Sequence, residues 1–137
     1  MSVSRRESRE LAFMILFDKS FNPDMSLNEI IECAVEEELI LEDEFAFELA
    51  THATENIDRI DAIISDKLTK WTIGRLPKVS LAILRVAIAE MLYIENVPVG
   101  VSINEAVEIA KKFAAKEDAS FINGVLGNIA RSDLIKK

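Results

Sequence analysis

The sequence predicts an all-α protein of about seven helices packed around one central, buried helix. Residues 79–94 are dense in good helix formers, and their only strongly polar residues are Ser80, Arg85 and Glu90. These three side chains point in separate directions around a helix, so this segment has no polar face. Apolar residues elsewhere recur at helical spacing, and no segment alternates with a period of two for long enough to predict a strand.

Residues 79–94, called the hub helix below, are expected to be covered on all sides by other helices. A helix that is apolar all round is either a core helix or a membrane span. A span needs about 20 apolar residues and avoids charge at its centre, whereas this segment is shorter and carries Arg85 midway. We therefore expect no membrane span, a structural ion pair for Arg85 with a covering helix, and a buried donor for Glu90.

Composition bounds the class of protein. The chain has 137 residues, half of them apolar, with four Gly and three Pro, which indicates one globular helical domain. No secretory signal is visible, and the single Cys33 excludes an intrachain disulfide, so we expect a cytoplasmic protein with Cys33 buried. The sequence has one His, no Gly-rich phosphate loop and no metal-ligand spacing, so we expect neither enzymatic activity nor a metal or other cofactor.

Charge is unevenly distributed along the chain. Residues 20–58, the acidic segment, contain 12 of the 24 acidic residues and no Lys or Arg, so the segment carries −12 and the remainder +4. One interpretation is a solvated acidic face. The other is a polarised surface, of which one side repels nucleic acid while a small basic side attracts it.

Capping patterns predict where several helices begin. Three segments have the Ser-x-x-Glu form of a capping box: Ser4–Glu7, Ser26–Glu29 and Ser102–Glu105. Further helices are predicted from Glu42 or Asp43, across 57–71 including Trp71, and after Asp118. Gly124 in the last helix costs about 1 kcal/mol relative to Ala, which suggests close approach of a neighbouring helix.

The first helix begins with Arg5, Arg6 and Arg9, called the arginine turn below. Three guanidiniums on an exposed helix start suit phosphate contacts and stacking on bases. Cations at a helix N-terminus cost a few tenths of a kcal/mol each, so another demand would hold them there. The alternative is a solubilising terminus in which Glu7 and Glu10 pair with the arginines.

A second candidate for nucleic-acid contact lies in the C-terminal third. Lys111, Lys112 and Lys116 precede Phe121, which is a possible stacking platform for a base. The spacing of Phe121 with Val125 favours core packing equally.

Five segments, in order along the chain, resemble the NusB family of bacterial transcription antitermination factors. They are Arg5-Arg6-x-x-Arg9-Glu10-x-Ala12, Ile83-Leu84-Arg85-x-Ala87-x-x-Glu90, Val97-Pro98, Ile103-Asn104-Glu105-Ala106-Val107-Glu108-Ile109-Ala110-Lys111 and Phe121-Ile122-Asn123-Gly124-Val125-Leu126. The resemblance implies a single non-enzymatic RNA-binding domain over 1–137, built as an N-terminal bundle (about 1–75) and a C-terminal bundle (about 76–131).

The resemblance also implies partners and site residues. Members of the family pair with NusE, a ribosomal protein, bind the single-stranded boxA element of RNA, and join other Nus factors on RNA polymerase during ribosomal RNA synthesis. Carried over, the RNA contacts are Arg5, Arg6 and Arg9, with aromatic contacts from Phe17, where Tyr is common, and Phe121.

The chain departs from the family pattern at two positions that bear on the partner-facing surface. Ser80 stands where an acidic residue is frequent and Gly127 where Asp is frequent; Ser80 and Arg85 are the residues expected to face a partner. Two alternatives stay open: a homodimeric or protein-only interaction module, and an accessory domain related to the N-terminal domain of ribosomal RNA cytosine methyltransferases. Because the sequence ends at Lys137 without a methyl-donor domain, we do not expect it to be such an enzyme by itself.

Overall fold

The computed structural model describes residues 3–69 and 72–137, and within these ranges the protein is all-α. A short 3-10 turn, Ile73–Arg75, precedes the fifth of seven helices. The helices are α1 (Arg5–Phe21), α2 (Leu27–Glu36), α3 (Glu44–Glu55), α4 (Ile57–Lys67), α5 (Lys78–Tyr93), α6 (Val99–Phe113) and α7 (Lys116–Ala130). The predicted fold class and helix number are confirmed. Helix α4 ends before the predicted boundary, because Leu68 is extended, and Trp71 lies outside the described residues.

Helix α5 is the hub that the sequence predicts. It packs against α1, α3, α4, α6 and α7, and Leu84 and Ile88 at its centre are completely buried. The buried apolar side chains of the seven helices form one contiguous core. None of the helices in 3–69 and 72–137 has the combination of length and apolarity that crossing a bilayer requires. The division into bundles of about 1–75 and 76–131 stays a prediction.

Two of the predicted capping boxes are confirmed. The Ser4 hydroxyl accepts a 3.1 Å hydrogen bond from the Glu7 amide, and the Glu7 carboxylate accepts one of 3.2 Å from the Ser4 amide. Ser26 and Glu29 form the same pair of bonds at the start of α2. Reciprocal bonds of this kind satisfy amide donors that a helix start otherwise leaves free. The box at Ser4 fixes the first turn of α1, where the arginines lie.

The third predicted capping box, Ser102–Glu105, is wrong. Helix α6 begins at Val99, directly after Pro98, so Ser102 lies one turn inside the helix and is buried. Proline lacks an amide proton and has a fixed φ, which makes it a natural residue at a helix start. The Ser-x-x-Glu spacing is also one helical turn, and here it places Ser102 and Glu105 toward the neighbouring helices α5 and α1.

Two further expectations are corrected. Cys33 is exposed, because α2 is a peripheral helix that buries only Ile30 and Ala34. Gly124 is exposed, and a Cβ built on it meets no atom within 4 Å, so no helix in the described part of the chain approaches it closely.

Candidate nucleic-acid interface

The arginine turn lies along the seam between α1 and α6, and its three side chains have different environments. Arg5 and Arg6 are exposed, whereas Arg9 is only 6% exposed. An α-helix advances about 100° per residue, so Arg5 and Arg9 share the face of α1 that turns toward α3. The predicted exposure of all three guanidiniums is therefore wrong for Arg9.

Arg6 is held by Glu105 of α6. Its Nε lies 3.0 Å and its Nη2 2.9 Å from Oε2 of Glu105. The hydrogen bond and the negative charge of Glu105 raise the pKa of Arg6 above its usual value. The Arg6 side chain is 55% exposed and that of Glu105 only 13%, so the guanidinium covers the carboxylate while remaining open to solvent.

Arg9 forms a buried polar network with α5 and α6. Its Nε donates a 2.8 Å hydrogen bond to Oε2 of Glu90, and its Nη1 lies 3.5 Å from Glu105. Glu90 is 1% exposed and also accepts a 2.7 Å hydrogen bond from the Ser102 hydroxyl. The expectation that Glu90 answers a buried donor is confirmed. Arg9 thus joins three helices, and its guanidinium is not free to reach a ligand in this structure.

Arg5 lies against an aromatic ring that sequence reasoning missed. Its Cζ is 4.0 Å from the ring centroid of Phe45, at the start of α3, and Arg9 lies 5.9 Å from the same centroid. A cation–π contact of this kind restrains the guanidinium without neutralising it. Within residues 3–69 and 72–137, Arg5 forms no salt bridge. Phe45 directly follows the acidic residues 42–44, so the arginine turn adjoins the acidic segment.

The lysines of α6 complete the seam. Lys112 Nζ lies 3.1 Å from both carboxylate oxygens of Glu10, and Lys111 Nζ lies 3.5 Å from Glu108. Glu10 therefore pairs with a lysine and not with the arginines, contrary to the solubilising-terminus alternative. The seam alternates cations with carboxylates, and its net charge is smaller than the arginine turn alone suggests.

Phe17 lies in a row of aromatic rings at the other end of α1. It is partly buried, with ring centroids 5.9 Å from Phe13 and 5.0 Å from Phe21, the latter edge-on. Phe21 is 57% exposed, and Lys78 Nζ lies 5.4 Å from its centroid. Twelve residues of helix separate Phe17 from Arg5, about 18 Å. The structure therefore places this aromatic row and the arginine turn at opposite ends of one helix.

Phe121 is partly buried near the start of α7. It borders an open groove whose other wall is formed by Arg75, Leu76 and Pro77, directly before α5. Lys78, the next residue, contacts the Phe21 ring. Because Pro77 of the groove directly precedes Lys78, the groove of Phe121 borders the aromatic row.

Of the two residues predicted to face a partner, Ser80 is buried and Arg85 is partly buried. Ser80 is completely buried, and its hydroxyl has no hydrogen-bond partner among the described residues, so it presents no surface to a partner here. Arg85 forms two hydrogen bonds with Asp61 of α4, of 2.9 and 2.7 Å. The predicted structural ion pair of Arg85 is confirmed.

Comparison with known proteins agrees with this architecture over nearly the whole chain. The NusB family model matches residues 6–131. "Transcription antitermination protein NusB" of Listeria monocytogenes serotype 4a (strain HCC23) is 42% identical over 131 residues, covering 96% of this chain and 99% of that protein.

Two solved structures extend the likeness to three dimensions. The structure of T. maritima NusB superposes with a TM-score of 0.85 at 34% identity, covering 98% of this chain and 95% of that one. A chain in a crystal structure of the antitermination factors NusB and NusE in complex with dsRNA superposes with a TM-score of 0.81 at 30% identity, covering 91% and 94%. Sequence and fold together therefore assign this chain to the NusB family.

Proposed function

We propose that this protein is a transcription antitermination factor that binds RNA together with NusE. A relative that matches over almost its full length is named a transcription antitermination protein. A chain of similar fold belongs to a crystal structure of NusB and NusE in complex with dsRNA. The observation that carries the proposal for this chain is the pair of exposed guanidiniums, Arg5 and Arg6, in the first turn of α1.

The geometry supports a division of roles within the arginine turn. Arg5 and Arg6 are accessible to phosphate, and Arg5 carries a charge that its aromatic neighbour leaves uncompensated. Arg9 has a structural role, because its bond to Glu90 fixes the first turns of α1 against α5 and α6. Phe17 and Phe121 are the proposed aromatic contacts. Phe17 lies about 18 Å from Arg5 along α1. Phosphate contacts position RNA, whereas contacts with unstacked bases give sequence preference.

A more specific proposal concerns which RNA is bound and which transcription complex the protein joins. We infer that the pair with NusE reads boxA as a single strand and joins other Nus factors and RNA polymerase in the cytoplasm, supporting ribosomal RNA synthesis. The similar complex contains RNA described as double-stranded. A test of the proposal therefore has to include duplex RNA.

The test is equilibrium RNA binding at fixed salt, with and without a NusE protein, using single-stranded boxA, a scrambled strand and a boxA duplex. We expect the heterodimer with NusE to bind boxA more tightly than the scrambled strand, since both proteins contribute to sequence recognition. Equal affinity for boxA and the scrambled strand would overturn specific reading. A preference for the duplex would overturn single-strand reading and keep the RNA-binding role.

Substitution locates the surface. Arg5→Ala and Arg6→Ala should each weaken binding by about 1 kcal/mol or more, which is typical of a charge-assisted hydrogen bond. Arg59→Ala is the matched control, because Arg59 of α4 is also exposed and also lies near an aromatic ring, 5.9 Å from the Tyr93 centroid. Unchanged affinity of an Arg5→Ala/Arg6→Ala double variant would place the RNA elsewhere.

A homodimer is the alternative that a specific observation favours. On α1, Met14 is 36% and Phe21 57% exposed, and a spacing of seven residues places them on one face. Sedimentation of the isolated protein across a concentration series, repeated with NusE, distinguishes a homodimer from a heterodimer with NusE. A homodimer that persists in the presence of NusE and RNA would overturn the proposed heterodimer.

A further inference from the structure

We infer that Glu105 restrains RNA binding by occupying Arg6, and that it is an affinity-determining residue of the proposed interface. The inference rests on the proposed function, and the experiment below separates the two. Arg6 is the exposed arginine of the seam that forms an ion pair. It offers Glu105 the same donors that it would offer to a phosphate.

Arg6 is engaged through Nε and Nη2, one edge of its guanidinium, at 3.0 and 2.9 Å from Oε2 of Glu105. Both donors converge on this one oxygen, and the same edge of the guanidinium is the one that arginine offers to a phosphate oxygen. A phosphate that takes Arg6 in this way must therefore displace Glu105 or share the guanidinium with it. Either event costs part of the existing ion pair and lowers the affinity for RNA.

Glu105 has a second cation within reach. Its Oε1 lies 3.5 Å from Nη1 of Arg9, a distance longer than an optimal charge-assisted bond. Arg9 is fixed by its 2.8 Å bond to Glu90, whereas the Arg6 side chain is more than half exposed. When Arg6 turns to a phosphate, Glu105 remains partnered by Arg9, so the exchange leaves no carboxylate unpaired. Because Glu105 lies between one fixed and one exposed arginine, RNA can displace it from Arg6 while Arg9 remains its partner.

The test is RNA affinity of Glu105→Gln, measured with NusE at fixed salt, in the original background and in an Arg6→Ala background. Exposed ion pairs are weak, so releasing Arg6 should tighten binding by no more than about fivefold. The gain should be the same for boxA and for a scrambled strand, because phosphate contacts carry no sequence information. In the Arg6→Ala background the gain should vanish, since Glu105 then has no exposed arginine to occupy.

Glu32→Gln is the control for net charge, because Glu32 is an exposed residue of α2 and its substitution changes the total charge by the same amount. An equal gain in Glu32→Gln, or a gain in Glu105→Gln that persists without Arg6, would show a general charge effect and overturn the inference. Unchanged or weaker binding by Glu105→Gln would also overturn it, provided that thermal unfolding shows the variant to be folded at the temperature used.

The proposed function and this inference fail in different ways. Binding that weakens in Arg6→Ala but does not respond to Glu105→Gln keeps the RNA surface and removes the restraint. An unaltered protein that binds none of the RNAs with NusE overturns the proposed function, and the inference with it.

Discussion

Arg9 of α1 and Glu90 of the hub helix α5 form a buried ion pair, with 2.8 Å between Nε and Oε2 and side-chain exposures of 7% and 1%. The Ser102 hydroxyl of α6 donates to the other oxygen of the same carboxylate. Three helices therefore meet at one carboxylate. This arrangement explains how the first turn of α1 keeps a defined position, with Arg5 and Arg6 directed outward from it.

The first prediction follows from the burial of this pair. Arg9→Ala should lower the free energy of unfolding by about 3–5 kcal/mol, because it leaves the Glu90 carboxylate buried without its cation. Arg6→Ala is the matched control and should cost far less, since its ion pair is exposed. Urea denaturation of the two variants measures both values.

Removing both charges tests whether the unpaired charge of Glu90 causes the loss of stability. An Arg9→Met/Glu90→Leu double variant should be more stable than Arg9→Ala, because no unpaired charge then remains in the core. A loss of less than about 1 kcal/mol in Arg9→Ala would contradict a structural role for Arg9. It would return Arg9 to the set of candidate direct RNA contacts.

Much of the fold follows from local sequence, and the site does so only in part. Capping boxes are read correctly at Ser4 and Ser26 because both partners lie within one turn, and the hub helix is evident from its missing polar face. The box at Ser102 fails because Pro98 starts the helix earlier. Pro98, four residues before Ser102, is the local signal that distinguishes Ser102 and Glu105 from a true cap.

The environments of the three arginines depend on residues distant in sequence. Glu105 lies 99 residues from Arg6, and Glu90 lies 81 residues from Arg9. Helical periodicity shows that Arg5 and Arg9 share a face but not whether another helix covers it. The family resemblance points to the arginine turn as a whole, but only the packing of α5 and α6 separates the buried arginine from the exposed ones.

The second prediction concerns Ser80, whose buried hydroxyl has no hydrogen-bond partner among the described residues. Ser80→Ala should raise the free energy of unfolding by about 1 kcal/mol, because it removes an unsatisfied polar group and introduces a better helix former. Ser102→Ala is the contrasting serine variant: it should lower stability by about 1.5–3 kcal/mol, since Glu90 loses a charge-assisted bond. Thermal denaturation compares them, and a destabilised Ser80→Ala would mean that the hydroxyl has a partner in solution.

The third prediction concerns Gly124 in α7. Gly124→Ala should stabilise the protein by about 0.8–1 kcal/mol, because the site is helical, exposed and has open space for a Cβ. Gly127→Ala in the same helix should gain less, since its Cβ would meet Nη1 of Arg131 at 3.4 Å. Chemical denaturation of both variants checks the order. An unfavourable Gly124→Ala would restore the interpretation that a neighbouring chain segment approaches this residue.

The fourth prediction concerns pH and the capping box of α2. Hydrogen bonds from the Ser26 backbone and side chain hold the pKa of Glu29 below its ordinary value of 4.5. A carboxyl with a lower pKa in the folded state stabilises the fold above its unfolded pKa. That contribution is lost as the pH falls through the folded pKa.

Glu29→Gln is the matched variant for this effect, because Gln reaches the same amide donor but does not titrate. The stability advantage of the unaltered protein over Glu29→Gln should be constant at neutral pH and should shrink below a pH of about 4.5. Melting temperatures of both proteins, measured from about pH 7 to about pH 3, give the comparison. A difference that does not change over this range would contradict a bond made preferentially by the ionised carboxylate, and would leave Glu29 as an ordinary exposed residue at the helix start.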